Sequence, residues 1–598
     1  MAHLPERHRA AYLAGLSPGA DLDHRGTPFT PELLGRLLDA LRDPATGRPH
    51  LGTAEFTRAA FSGTANFSEA TFSGAAYFNR ATFSGAAYFM ATTFSDEAWF
   101  SQVTFSDVVG FAEATFADVA GFNWATFSDL AGFSEATFSS AAELNGASFS
   151  DVAAFDGATF SDTAGFNRAA FADEAWFDRV SFSGVVGFDG ATFAGAAKFA
   201  EATFSGTTDF GGATFSGNVT FNDAHFERAA HLGPLVCGMQ LVLDRAVFQQ
   251  PVTVEIAARQ VSCARTRWAS TATLQLRYAE LDLRDAIFEY PVLVAARPDP
   301  YPRHHGPLPE AALSGQDPGV RLMSVGGVDV IHLALHDIDL SSCRLAGAMH
   351  LDQLKVDGWC TFDTTPIGWD RHLPWRWSRR NALTEEHHWR VRTARHPDRA
   401  VTRGWARPPQ DSPELKPAAV AALYRQMRKS LEDGKNEPDA ADFYYGECEM
   451  RRHDTTRPSG ERALLAVYWA LSGYGLRAVR ALAWLGAAMA ATVAVMVLWG
   501  LPGDDPKPTT TGRQAAVGQR VLLLTSTPAP VNPTGPLTER VSTERGEKAL
   551  RVVINSVIFR SSGQDLTTTG TYTEMLSRLA EPALLGLVVL AVRNRVKR

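Results

Sequence analysis

The chain has few cysteines, and no two of them are spaced to work together. Five stand at positions 237, 263, 343, 360 and 448 of 598 residues, far apart and with no CxxC. This excludes a disulfide framework and a zinc site of ordinary ligand spacing, and predicts small buried thiols in a reducing compartment. No P-loop, GxGxxG, HExxH or nucleophile elbow is read. Positive charge is scarce early in the chain: Glu55 to Leu232 holds 6 Lys/Arg against 21 Asp/Glu, a net of −15 in a chain of net −8. An acidic first part is therefore joined to a basic remainder, and direct nucleic-acid binding is not expected. No N-terminal signal peptide is visible, because Met1 to Ala20 carries His, Glu and Arg among short apolar pieces. Long apolar runs are also scarce, which makes Ala481–Leu501, with 21 residues and no charge, stand out.

What is abundant is a rhythm. From Phe56 to Val254 a phrase such as Ala70-Thr-Phe-Ser-Gly-Ala-Ala-Tyr-Phe-Asn-Arg80 returns every eleven residues, for 18 periods. Its large apolar residue recurs at alternating steps of five and six. Of 37 beats, 32 are Phe; the others are Leu144, Leu232, Cys237, Leu243 and Val254. A helix would place these beats on two separated faces, and the Ser, Thr, Gly and Asp between them are weak helix formers. One long strand would lose its sidedness at every change of step. A coiled ribbon with regular corners meets both objections. Each Phe points inward from one wall, and Ser73-Gly74 or Ser128-Asp129 makes the next corner, with the sixth residue placed there as a bulge. A fixed short period of this kind means a solenoid.

A small residue two positions before a central Phe (Ala70-Thr71-Phe72, Ala76-Tyr77-Phe78) resembles the unit of the pentapeptide-repeat family. The resemblance implies a mainly β fold, a right-handed four-sided β-helix with four beats per 22-residue coil. Nine such coils, at roughly 4.8 Å per layer, make a shaft about 43 Å long. Phe72, Phe78, Phe83, Phe89, Phe116, Phe122, Phe127 and Phe133 are its expected inward ladders, each burial contributing about 1.5–3 kcal/mol.

Other segments follow from local pattern. Residues 31–43 read as an amphipathic helix with Thr30 as N-cap and Pro31 in the first turn, placed to cover the open end of the solenoid. The beat fails at Arg259 and returns at Leu335, Leu340, Leu345, Leu351, Val356 and Phe362, with a Pro-rich insertion at 294–320. Residues 417–433 and 438–452 read as an αα-hairpin around Asp433-Gly-Lys-Asn436. Ala481–Leu501 is long enough to cross a bilayer. Arg462, Arg477 and Arg480 precede it and Asp504 and Asp505 follow, which places the preceding side in the cytoplasm. A second apolar run, Leu579–Val592, is interrupted by Glu581 and spans only if it begins near Tyr572. The chain thus divides into 1–50, an N-terminal segment with a capping helix; 51–254, the regular β-helix; 255–365, its irregular continuation; 366–412, an Arg/Trp-rich linker; 413–455, the helical hairpin; 461–501, an interfacial helix and a first transmembrane helix; 502–573, an extracytoplasmic Pro/Thr-rich loop; and 574–598, a second transmembrane helix with a basic tail. Lys435–Arg452 and Tyr468–Arg477 are similar to the juxtamembrane part of bacterial membrane-bound pentapeptide-repeat proteins. That resemblance implies a location in a bacterial plasma membrane and no chemistry.

No catalytic, cofactor-binding or metal-ligating residue is assigned. Glu385-Glu-His-His388 invites a metal reading, but neighbouring His side chains point apart on a helix and to opposite faces of a strand, so a solvated or interfacial segment is expected. The Arg/Trp stretch around it (Trp375, Arg376, Trp377, Arg379, Arg380, Trp389, Arg390) suits anionic headgroups, the acidic rod, or an ordinary folded linker. Glu447, Glu449, Arg451 and Arg452 read as surface and hairpin packing. Thr568, Thr569, Gly570 and Tyr572 form a candidate pore loop, since a Thr/Gly loop between two spans looks like the two-span potassium-channel filter. The second filter glycine is missing, and a polar external loop leading into an anchor is the plainer reading. The leading expectation is a non-enzymatic membrane protein whose cytoplasmic solenoid offers a docking surface to an unidentified protein. The alternatives are an acidic mimic of DNA that binds gyrase, as some family members do, and a degenerate channel.

Overall fold

Parallel pairing at a constant offset of 22 residues builds the first part of the molecule. Thr71 pairs with Thr93, Thr93 with Thr115 and Thr115 with Thr137, and the adjoining Phe residues pair likewise. The offset is twice the eleven-residue phrase, so each two-residue strand meets its own copy one coil later. The result is a parallel β-solenoid of about 14 turns. The computed structural model describes residues 4–303, 306–366, 379–409, 412–513, 516–518, 520–558 and 561–596. The chain forms two compact units, one of Met1–Pro413 with Lys429–Gly434 and one of Glu414–Arg428 with Lys435–Arg598.

Phe72, Phe78, Phe83 and Phe89 line the walls of one coil, and Phe116, Phe122, Phe127 and Phe133 those of a coil two layers on; all eight are fully buried. The rings stack on their copies in adjoining coils, Phe122, which Leu144 follows, on Phe100 behind it. Phe94 and Phe116 lie 4.9 Å apart with 6° between planes. Rings of adjoining walls meet edge to face, as Phe116 and Phe122 do at 5.9 Å and 81°. Offset stacking along a wall and edge contact between walls both suit the ring quadrupole. Ala76, Ala98 and Ala120 fill the small inward position and are also buried.

The corners differ from expectation in one respect. The left-handed residue falls in the five-residue step, two positions after the Phe. Glu69, Arg80, Ala91, Gln102, Glu113, Trp124 and Glu135 all have φ between 52° and 59°, and Gly146 and Gly157 occupy the same place. The Ser-Gly and Ser-Asp corners of the six-residue step need no positive φ at Gly74 or Asp129. Gly74 is there for space: a Cβ would stand 2.8 Å from the backbone N of Thr53 in the preceding coil.

The solenoid begins earlier than position 51. Ala20–Asp23 pairs with His50–Glu55, and Pro28–Phe29 with Ala60–Phe61. Helix α1 (Glu6–Ala14) precedes this coil, and helix α2 (Pro31–Ala40) is inserted within it, with Leu33 N donating to the Thr30 hydroxyl. Leu33, Leu34, Leu37 and Leu38 are buried. His24 occupies the ladder place before Phe56, stacked on it at 6.0 Å, with its Nε2 3.3 Å from the Tyr12 hydroxyl. Burial pushes its imidazole down to about 4. The unfolded chain therefore takes up the proton first, and the stability that rests on the neutral ring is complete above pH 6.5 and lost as pH falls toward 4. Amide exchange over residues 20–61, corrected for intrinsic rates, is expected to show a loss of roughly 2–3 kcal/mol across that window. His24→Phe should abolish the loss; an unchanged pH dependence in that variant would reject the assignment.

Beyond residue 240 the coil shortens. Val247 pairs with Arg267 and Arg267 with Ile287, an offset of 20. The insertion after Ala296 packs back on a wall, where Tyr301, Leu308 and Leu313 cluster with Val236 and Ala257. Leu335, Leu340, Leu345, Leu351 and Phe362 are buried, and the last bridge joins Asp339 to Thr361. Helices α3 (Thr384–Thr393) and α4 (Pro397–Thr402) follow.

Helix α5 (Pro417–Asp433) ends at the Gly434 turn, and α6 (Glu437–His453) follows with Asn436 accepting from Asp439 N. In the second unit come α7 (Ser459–Ser472), α8 (Ala478–Val495) with a π-turn at Met496–Gly500, α9 (Thr543–Val557) and α10 (Thr568–Val596). Ala478–Gly500 and Thr568–Arg593 are each long and apolar enough to cross a membrane. The region expected as a loop from 502 to 573 instead holds a hairpin, Thr509–Gly512 with Leu523–Ser526, and then α9. Ala549 and Val552 of α9 pack on Met496, Val497 and Leu501. Arg545 donates to the carbonyls of Val497, Leu501 and Pro502, which supplies partners to the end of α8.

Candidate functional site

The repeat presents its polar residues in rows. Asn79, Asn123, Asn145 and Asn167 each follow the ladder residue of one wall. The Oδ1 of each accepts the N–H of the residue 22 positions on, at 2.8–3.1 Å. Sequence reading missed this ladder, although Asn recurring at the coil period after Phe78, Phe122, Leu144 and Phe166 was its signal. At another corner Asp107, Asp129, Asp151 and Asp173 recur at 22 residues. Each Oδ1 accepts the N–H of the next residue at 2.6–2.9 Å. At roughly 4.8 Å per coil they form a line of like charge on the surface. Further along, Arg303 on the insertion reaches Asp189 and the Gly211 carbonyl. It borders a groove of about 660 Å³ lined also by Thr207, Asp209, His231 and Glu255.

Glu385, Glu386, His387 and His388, expected in solvent or at an interface, are buried on α3. The reason is the open end of the solenoid. Glu385 Oε1 accepts from Leu345 N at 2.6 Å and Ala346 N at 2.9 Å, taking the place of acceptors that a further coil would supply. Glu386 joins Arg380 and, at 3.1 Å, Arg390. His387 Nδ1 accepts from Ala406 N, so its proton sits on Nε2, 3.5 Å from Asp363 Oδ2. Burial raises the Glu385 carboxyl and holds the His388 imidazole down at about 4. No group of three or more His, Cys, Asp or Glu suited to a metal exists among the described residues. Arg390 lies over the Trp389 and Trp405 rings at 5.1 and 5.6 Å. The described part of the Arg/Trp stretch is thus a folded cap and not a linker; Trp375, Arg376 and Trp377 lie outside the described residues.

Glu447 and Glu449 are buried and not on the surface. Glu447 sits between Arg425 at 3.0 Å and Arg428 at 3.2 Å. Glu449 accepts from Arg452 at 2.6 Å and from the Tyr474 hydroxyl at 2.9 Å. Both are structural ion pairs with every near cation engaged, not an acid poised at a cleft. Gly15-Leu-Ser-Pro-Gly19 has the letters of a nucleophile elbow, but a helix precedes it and a strand follows, the reverse of the turn that exposes such a serine.

Thr568, Thr569, Gly570 and Tyr572 are not a pore loop: they lie in the first two turns of α10. Thr571 N donates to the Thr567 carbonyl and the Thr573 hydroxyl to that of Thr569, and Gly570 Cα packs against the end of α8 at Gly500. Backbone carbonyls turned into a helix cannot line a filter.

A family model, pentapeptide repeats (9 copies), matches residues 56–104, 100–148, 144–192 and 188–233. No curated protein and no solved structure matches the chain.

Proposed function

We propose, taking residues 56–233 as the pentapeptide repeats they are, that this protein is a non-enzymatic scaffold: a solenoid held at a bacterial plasma membrane by α8 and α10. One observation carries the reading. Both apolar helices turn large side chains outward, Val479 and Leu482 on one, Leu576, Leu579 and Val589 on the other, where water would be a poor solvent for them. The cationic residues flanking the cytoplasmic ends of both apolar stretches in this reading, Arg477 and Arg480 at one and Arg593 at the other, support a cytoplasmic solenoid. The acidic rows suit a partner with a cationic face.

The test uses the full-length chain. It is expected to stay with membranes after alkaline washing, and to bring down a basic protein that Asp107→Asn, Asp129→Asn, Asp151→Asn and Asp173→Asn together release. Recovery in the soluble fraction would reject the anchor, and undiminished capture by the fourfold variant would reject the acidic row as the docking surface. Gyrase is one basic-faced candidate; a supercoiling assay with purified enzyme separates it from the rest.

A further inference from the structure

Glu581 lies near the middle of α10, thirteen residues from Thr568 and twelve from Arg593, the bounds of its apolar stretch. That is roughly 20 Å from either end. Its side chain is fully buried against α8. Further toward the C-terminal end of α10 the same helix pair closes on apolar side chains, Ala481, Leu485 and Met489 of α8 with Leu584, Leu585 and Val588 of α10. Oε1 stands 2.9 Å from the Thr492 hydroxyl, and Oε2 has no hydrogen-bond partner. Among the described residues no cationic side chain lies within salt-bridge distance of it. The charged groups on neighbouring elements are engaged elsewhere. Arg578 pairs with Glu574 one turn away, and Arg480 donates to the Trp469 carbonyl. Arg545 binds carbonyls at the end of α8, Lys548 pairs with Asp505 and Glu544, and Arg551 with Glu547.

The Thr492 hydroxyl supplies the decisive count. It is 3.0 Å from the Ala488 carbonyl, one turn back on α8, as well as 2.9 Å from Glu581. A hydroxyl has one hydrogen. If it is given to Glu581, the carboxylate keeps a full negative charge on a buried, unpartnered Oε2. If Glu581 is protonated, it donates to Thr492 Oγ, Thr492 donates to Ala488, and no charge is left in the pair. Burying an unpaired carboxylate costs far more than burying a neutral acid with one hydrogen bond.

We propose that Glu581 with Thr492 is a proton-binding site inside the paired helices, a carboxylic acid kept neutral at the centre of the span. This rests on the membrane reading above. The bound proton holds α8 and α10 together, and its loss puts an uncompensated anion between them. Pro582, next in sequence, lacks the N–H that would bond the Arg578 carbonyl, so α10 is weakest where the site sits.

The experiment is labelling with dicyclohexylcarbodiimide, an apolar reagent that enters bilayers, on full-length protein in lipid vesicles. The acid O–H adds across one C=N bond: oxygen bonds to the central carbon and the proton passes to nitrogen. Migration of the acyl group from oxygen to the other, imine nitrogen, as the oxygen left behind becomes the urea C=O, gives a stable N-acylurea with nothing lost. Mass spectrometry is expected to find the adduct on Glu581 at neutral pH, falling at least tenfold as the medium is made strongly alkaline. Glu574, paired with Arg578, should stay unlabelled. Glu581→Gln should abolish the adduct, and Thr492→Val, which removes the hydroxyl and keeps the shape, should shift its pH dependence. Protein that resists alkaline extraction yet shows no Glu581 adduct at any pH overturns this inference and leaves the anchor standing. Protein found in the soluble fraction overturns both.

Discussion

Phe116→Ala is expected to remove about 3–5 kcal/mol of stability from the coils around it, the usual cost of emptying a fully packed aromatic site. The size follows from where the ring lies. Phe116 is fully buried, stacked on Phe94 at 4.9 Å and on Phe138 at 4.7 Å, and edge-on to Phe122 at 5.9 Å. Its removal therefore takes a neighbour from four rings, Phe111 being the fourth. Because each coil touches only its neighbours, the loss stays local. Native-state hydrogen exchange on the full-length protein should show it between about residues 94 and 138, with residues 193–248 unchanged. Phe116→Leu keeps most of the volume and should lose about half as much. Equal protection in wild type and Phe116→Ala would mean that the ladder is not what holds the coils.

Glu386→Ala should destabilise the C-terminal cap by about 3–5 kcal/mol, since removing one partner of a buried pair leaves charge without compensation. Here two guanidinium groups lose a shared carboxylate at once, Arg380 buried and Arg390 nearly so. When the cap loosens, Glu385 leaves Leu345 N and Ala346 N, and the last coil presents an unpaired edge. The expected readouts are faster exchange of those amides and concentration-dependent self-association, the ordinary fate of an open edge. Glu386→Gln retains an acceptor and should fall between. A monodisperse Glu386→Ala protein with protected amides at 345–346 would show that another element seals the end.

Much of this molecule was readable in one dimension, because a solenoid turns tertiary contact into sequence period. In the regular coils a ladder residue meets its counterpart 22 residues away, so a pattern of fives and sixes is also a contact map. The same argument located the outward-facing apolar helices, since a stretch without charge from Ala481 to Leu501 needs no partner to be recognised. The corner assignment failed at Glu69, Arg80 and Glu113. The left-handed place there is filled mostly by residues other than glycine, and composition cannot reveal a φ that the pairing of adjacent coils imposes.

Polar residues outside the period behaved differently. Whether Glu385 is solvated or buried depends on the bare amides of Leu345 and Ala346, and no spacing announces that a carboxylate will be borrowed from forty residues away. Thr568–Tyr572 reads as a loop by composition and becomes helix because it packs on the end of α8. Glu581 looks like a flaw in an apolar run until Thr492, 89 residues earlier, is set against it. The sequence by itself settled the shaft and its walls, where each partner lies at a constant offset. Only the tertiary structure decided the caps, the corners and the buried acid, because the free energy of a polar group depends on what faces it, and those faces come from distant and aperiodic parts of the chain.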